Sequence, residues 1–237
     1  MTYKQFENIV SARRMERYLI ACHGDNKQAR RLYRENMRLA CEMFIVVSGF
    51  EIALRNAIHN KVSARLGEDW LGKSVKKGGI FYSLPPKAKR NIVSTAKKLK
   101  VNNKYDADQM VASMEFGTWK YMFSKIQYEA TGQCLLKIFP NKPKSSKVQQ
   151  YDRKYFFNEL DHVNSLRNRL AHHEPICFTH YNDEVDLSYA KSEYDRIIKL
   201  FVWMGIDHKS LFKGTDQMQT IFTRIDTLFP ITTNIAY

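Results

Sequence analysis

The sequence predicts an all-α protein, a helical bundle whose long helices run antiparallel. Three observations carry this expectation. Apolar residues recur at three- and four-residue spacing through most of the chain. Start and stop signals such as Ser11, Gly67 and Pro85-Pro86 bracket the periodic segments. No alternation of apolar and polar residues long enough for a strand appears, nor any internal repeat.

Taken in order, Ser11 caps a short helix running to Cys22, with Met15, Tyr18 and Leu19 facing inward. Gly24-Asp25 makes a turn and the next cap, and a helical pattern then runs over 26–66 with Leu32, Leu39, Phe44, Val47 and Leu54 apolar. Such a length predicts a kink or break at Gly49, and Gly67 ends the helix. Residues 72–83 read as a loop, Pro85-Pro86 start a helix to about Leu99, and two more helices follow over 108–113 and 117–129. The aromatics Phe116, Trp119, Tyr121, Phe123 and Tyr128 suit a core better than an RNA-stacking platform. Residues 140–146 read as a linker, and a long helix comes next. An acidic irregular stretch over 182–186 precedes amphipathic helices over 189–204 and 216–228. The linker divides the chain into an N-terminal helical region, 1–140, packed on a C-terminal one, 141–237, unless the two form one continuous domain.

With 237 residues, 44% of them hydrophobic and 13% aromatic, the chain can bury a sizeable core and is not of a disordered composition. Its longest apolar runs, such as 43–47, are far short of the roughly 20 residues that span a bilayer. There is no apolar leader segment near the N-terminus, and the four cysteines are widely spaced with no Cys-x-x-Cys pair. A cytoplasmic protein with reduced, inert thiols is the expectation. The net charge is +14, and ten of those charges come from residues 70–105, which hold no acidic residue: Lys73, Lys76, Lys77, Lys87, Lys89, Arg90, Lys97, Lys98, Lys100 and Lys104. A polyanion such as RNA is the simplest partner for that field; a solvated basic surface is the plain alternative. The stretch lacks the broad aromatic face of a membrane-surface helix.

The densest chemistry lies at Arg167, Asn168, Arg169, His172, His173 and Glu174. Phe156, Leu160, Val163, Leu166 and Leu170 form an apolar stripe that makes the preceding segment a helix, and Pro175 ends it. The two histidines therefore fall in its last turn or just beyond. Histidine moves protons near neutral pH, and arginine holds a phosphate with two parallel hydrogen bonds. The two together suffice to cleave RNA, whose 2′-hydroxyl is a built-in nucleophile. Asn168 and His172 share a helix face, so the amide can orient the imidazole. Arg167 and His172, five residues apart, diverge by about 140° on an ideal helix. Either the helix end bends His172 round, or a second copy of the chain completes the site. A second string, Arg55-Asn56-x-x-His59, lies inside the long 26–66 helix, with Glu51 one turn before Arg55. Either Glu51 and Arg55 form an exposed pair, or Arg55 lines the cleavage site or supports Arg167. Metal-ligand spacing is absent, since adjacent histidines chelate poorly, and no glycine-rich phosphate loop appears.

The string Arg167-Asn168-Arg169-Leu170-Ala171-His172-His173-Glu174-Pro175-Ile176 closely resembles the signature of the bacterial abortive-infection (Abi) family, related to AbiD and AbiF, whose members carry a HEPN domain. Arg17-Tyr18-Leu19, Leu32-Tyr33 with Asn36, residues 50–58, and Phe116-Gly117-Thr118-Trp119-Lys120-Tyr121 look like further landmarks of that family, in its order. The resemblance covers nearly all of the chain except the last 40 or so residues. It implies a HEPN-type bundle with additional N-terminal helices and a metal-independent, cofactor-free endoribonuclease, acting as a toxin or in phage defence. In that reading Arg167 and His172 are catalytic with Asn168 beside them, and His173, Glu174 and Arg55 are supporting or alternative groups. The basic residues of 70–105 and Arg169 would bind RNA. It further implies a homodimer that shares its site, and an RNA or protein antitoxin. The rival from another class is a non-catalytic RNA-binding or toxin-neutralising module of the same fold. HEPN toxins controlled by nucleotide transfer carry a tyrosine two residues after the histidine; Glu174 stands there, so this chain departs from that pattern.

Overall fold

The computed structural model describes residues 1–179 and 183–230. Its helices are α1 (Tyr3–Val10), α2 (Ala12–Ala21), α3 (Asn26–Leu66), α4 (Trp70–Ser74), α5 (Pro86–Val101), α6 (Ala107–Ala112), α7 (Phe116–Tyr121), α8 (Lys125–Ala130), α9 (Arg153–Ala171), α10 (Ser188–Trp203), α11 (His208–Leu211) and α12 (Met218–Leu228), with one 3₁₀ turn at Leu135–Ile138. The only β pairing among the described residues is a single antiparallel bridge between Phe178 and Val185. The all-α expectation holds. No helix among the described residues is long and apolar enough to cross a membrane.

Two compact units emerge, and both draw on residues from either side of the 140–146 segment. The first comprises Met1–Val47, Ser165–Ile198 and the chain from His208 onward; the second comprises Ser48–Asn164 and Lys199–Asp207. The reason is mechanical. Helices α3, α9 and α10 are long enough to contribute one stretch to each unit, so a sequence linker does not mark a boundary.

Helix α3 runs unbroken for 41 residues, through Gly49. A glycine inside a helix costs roughly 1 kcal/mol. Val46, Val47, Phe50 and Leu54, all fully buried, each return about 2 kcal/mol and outweigh it. In the first unit Tyr18 packs edge-on against Tyr33 and Phe178, and Glu35 of α3 holds Arg224 of α12 at 3.0 Å. In the second unit Phe50 meets Phe116 and Phe201, and Phe139 stacks on Phe156 with Phe123 tilted against both. Of the predicted aromatic cluster, Phe116, Trp119, Phe123 and Tyr128 are buried and Tyr121 is exposed. The single helix expected over 117–129 is two, because Ser124 adopts an extended conformation and starts α8 afresh.

All four cysteines are free. Burial pushes the Cys22 thiol up to about 11 and raises that of Cys177 as well, so both are poor nucleophiles. Cys41 is exposed.

Candidate functional site

The apolar stripe of α9 fixes which way its polar residues point. Phe156, Leu160, Val163, Leu166 and Leu170 are all buried. At about 100° per residue, Asn168 then lies opposite Leu166 and Leu170 and faces solvent, while Arg167 and Arg169 flank the buried edge on opposite sides. Arg167 and Arg169 are half-buried, and Asn168 is exposed, as this geometry requires.

The end of α9 is a Schellman turn. Glu174 donates its backbone N–H to the Arg169 carbonyl (2.9 Å) and His173 donates to Leu170 (3.0 Å). His173 occupies the left-handed position, φ 55°, that glycine usually fills. His172 is the last residue before it, its N–H still donating to the Asn168 carbonyl at 2.9 Å. Both histidines and Glu174 are exposed, and Pro175 prevents any continuation. The predicted stop at the histidines therefore stands. Among the described residues the link between Asn168 and His172 is this backbone bond, not one from the amide side chain.

Beyond the turn the chain dives inward: Ile176, Cys177 and Phe178 are fully buried. This strap, 173–179, is pinned by side chains from far away in sequence. Arg14 of α2 donates to the His173 carbonyl at 2.8 Å. Asn36 of α3, 5% exposed, accepts from the backbone N–H groups of Ile176 (2.9 Å) and Cys177 (3.2 Å) through one oxygen. Arg17 lies over the Phe178 ring at 4.5 Å, pairs with Asp183 at 3.0 Å and donates to the Thr179 carbonyl. Arg169 donates to the Pro175 carbonyl at 2.6 Å, lies 3.5 Å from Glu174 and stacks on Tyr189 at 4.4 Å. Burial raises the Tyr189 hydroxyl, against the pull of that guanidinium. Arg169, expected among RNA contacts, is thus a clamp of the strap, and Glu174 pairs with it.

Sequence reasoning missed Arg14 and the purpose of Arg17 and Asn36. The partial signal was that Arg17-Tyr18, Tyr33 and Asn36 stood out as landmarks; all of them converge on the strap or on Tyr18 beside it.

The other predicted residues belong to the second unit. Arg55 donates to the carbonyl of Ala112, the last residue of α6, at 3.3 Å. His59 is 7% exposed; its Nδ1 accepts from Trp70 Nε1 at 3.1 Å and its Nε2 lies 3.3 Å from Glu68. In the basic stretch, Lys73, Lys76, Lys77, Arg90, Lys97, Lys98, Lys100 and Lys104 are exposed, while Lys89 is half-buried and donates to the Tyr82 carbonyl. On α5, Ile92 and Leu99 face inward, which leaves Arg90 and Lys97 centred on the outer face. The Lys87 side chain and Asn182, the first residue of the acidic stretch, lie outside the described residues. Among the described residues no group of three or more His, Cys, Asp or Glu is placed to hold a metal ion.

No curated protein and no solved structure matches the chain. A family model described as Abi-like protein matches residues 3–177, a span that runs from α1 through the motif to the strap. The chain belongs to the Abi-like protein family, a membership that supports a role in abortive infection.

Proposed function

We propose that this protein is a metal-independent endoribonuclease of the HEPN type that acts in phage defence or as a toxin. What carries the reading is the exposed helix end: Asn168, His172, His173 and Glu174 face solvent, between buried Leu166 and Leu170 on one side and buried Ile176 on the other. Such a rigidly anchored, open group of histidines beside a half-buried arginine suits acid–base chemistry on a phosphodiester.

In the mechanism a histidine takes the proton of an RNA 2′-hydroxyl. The 2′-oxygen attacks the adjacent phosphorus, and the 5′-oxygen of the next nucleotide leaves with a proton from a second acid. The products are a 2′,3′-cyclic phosphate and a 5′-hydroxyl. Arg167 stabilises the charge that builds on the phosphate oxygens, and its rigid fork matches them. Base and acid are two groups, while one histidine per chain stands at the motif position. A twofold homodimer with its axis near Arg167 and His172 supplies the second copy of each and overcomes their divergence. The exposed cations of 70–105 contact the RNA backbone. The protein works in the cytoplasm, where its RNA lies, and an RNA or protein antitoxin restrains it.

The test is expression of the wild type beside His172→Ala, scoring growth and bulk RNA integrity. Growth arrest with RNA fragmentation from the wild type alone supports the reading; equal effects of both, or of neither, reject it.

A further inference from the structure

The strap that follows the motif is held by long-range side chains as well as by its own burial. Helix ends fray by default, and this one ends in two exposed histidines, the second of them at a positive φ that costs a side-chain-bearing residue of the order of 1 kcal/mol. Burial of Ile176, Cys177 and Phe178 already fixes the far end of the strap. Yet the carbonyl of His173 also accepts from Arg14, an exposed residue 159 positions away, and two successive N–H groups donate to the amide oxygen of Asn36, 140 and 141 positions away. An exposed hydrogen bond such as that of Arg14 contributes little to folding. Its geometric effect is larger, because it fixes the peptide one residue beyond His172 at the point where the backbone reverses.

We propose that Arg14 and Asn36 are positioning residues for His172. They hold the turn that carries the imidazole, and they touch no substrate. This rests on the cleavage reading above, in which His172 must meet a phosphodiester within a few tenths of an ångström. Asn36 anchors the strap from inside, using one amide oxygen for two backbone donors. Arg14 locks its first carbonyl from outside. Helices α2 and α3 thereby act on a site carried by α9, and Arg14 and Asn36 both lie within the stretch that the family model matches.

The experiment uses the full chain and four variants: Arg14→Ala, Arg14→Lys, Asn36→Ala and Asn36→Asp. Three readouts are taken: melting temperature, kcat and KM on an RNA substrate, and the ring resonances of His172 in histidine-labelled protein. For Arg14→Ala the expected result is a melting temperature within about 2 °C of wild type. Its kcat falls about tenfold to a hundredfold at unchanged KM, and its His172 resonances are broadened or split. Arg14→Lys regains part of the loss. Asn36→Asp, which keeps the acceptor, stays close to wild type, whereas Asn36→Ala behaves as Arg14→Ala does or fails to fold. If it fails to fold, Arg14→Ala and Asn36→Asp decide. Raised KM at unchanged kcat in Arg14→Ala would show that the guanidinium contacts RNA and would overturn the proposal. So would unchanged kcat together with unchanged His172 resonances. If the wild type does not cleave RNA, the cleavage reading fails, and the ring resonances alone still decide whether the two residues order His172.

Discussion

Arg55-Asn56-Ala57-Ile58-His59 and Arg167-Asn168-Arg169-Leu170-Ala171-His172 both set a helical arginine–asparagine pair ahead of a histidine. The first string lies well inside α3. Its histidine is buried, with one ring nitrogen accepting from Trp70 and the other facing Glu68, and its arginine donates to the last carbonyl of α6. The second string lies at the terminus of α9. Its histidine is exposed beyond the last helical residue, and the chain reverses immediately after it. Residue type is shared; position along the helix decides what the residues can do. A mid-helix histidine on a buried face has its ring nitrogens taken up by neighbours, while one at a capped helix end keeps its ring open to solvent and its backbone fixed.

The most severe challenge to this contrast removes each histidine in turn. His172→Ala should lower cleavage by about a hundredfold to ten-thousandfold, the usual contribution of a general acid or base, with little change in melting temperature. His59→Ala leaves the Trp70 N–H without its acceptor in a buried place, at a cost of about 1–3 kcal/mol. Its melting temperature should fall by roughly 2–4 °C per kcal/mol, with activity per folded molecule retained. If His59→Ala abolished cleavage without destabilising the protein, the roles of the two strings would be reversed.

The arginines come next. Arg167→Ala should cost about a hundredfold to a thousandfold in kcat, as loss of a group stabilising the transition-state charge does. Arg55→Ala removes a helix-end hydrogen bond and should cost about 1 kcal/mol of stability. Mixing inactive Arg167→Ala with inactive His172→Ala and allowing subunit exchange extends the contrast to a second copy of the chain. Partial activity supports a site shared by two copies, and a strictly monomeric wild type of full activity contradicts it.

Much of this was legible in the chain. The stripe from Phe156 to Leu170, with Pro175 after it, located the end of α9, and both strings were visible as strings. Helix α1 was not foreseen, although Thr2 and Gln5 form a capping box that announces it. The break before α8 was hidden because apolar spacing continues through Met122 and Phe123, both buried. The residues that pin the strap could not be read at all. Periodicity reports which face of one helix is buried, not which arginine 159 residues away donates to a given carbonyl.

A smaller effect is expected on the basic face of the second unit. Reversing Lys97, Lys98 and Lys100 to Glu should weaken RNA binding and flatten its salt dependence, by about 0.7 in log–log slope for each phosphate that is no longer neutralised. Unchanged binding returns that face to a solvated surface. The smallest is His173→Gly. Glycine at a φ of 55° relieves strain and should raise stability by up to about 1 kcal/mol. Cleavage that survives in this variant removes His173 from the proton-transfer groups.

On the reading proposed above, the exposed end of α9 cleaves RNA with protein side chains and the RNA's own 2′-hydroxyl. The decisive measurement incubates purified wild type and His172→Ala, each with RNA in excess EDTA, and analyses the new ends. Cleavage is expected from the wild type only, with 2′,3′-cyclic or 3′-phosphate ends and 5′-hydroxyls. Activity that vanishes on chelation and returns with Mg²⁺ or Mn²⁺, or that persists undiminished in His172→Ala, would refute the mechanism.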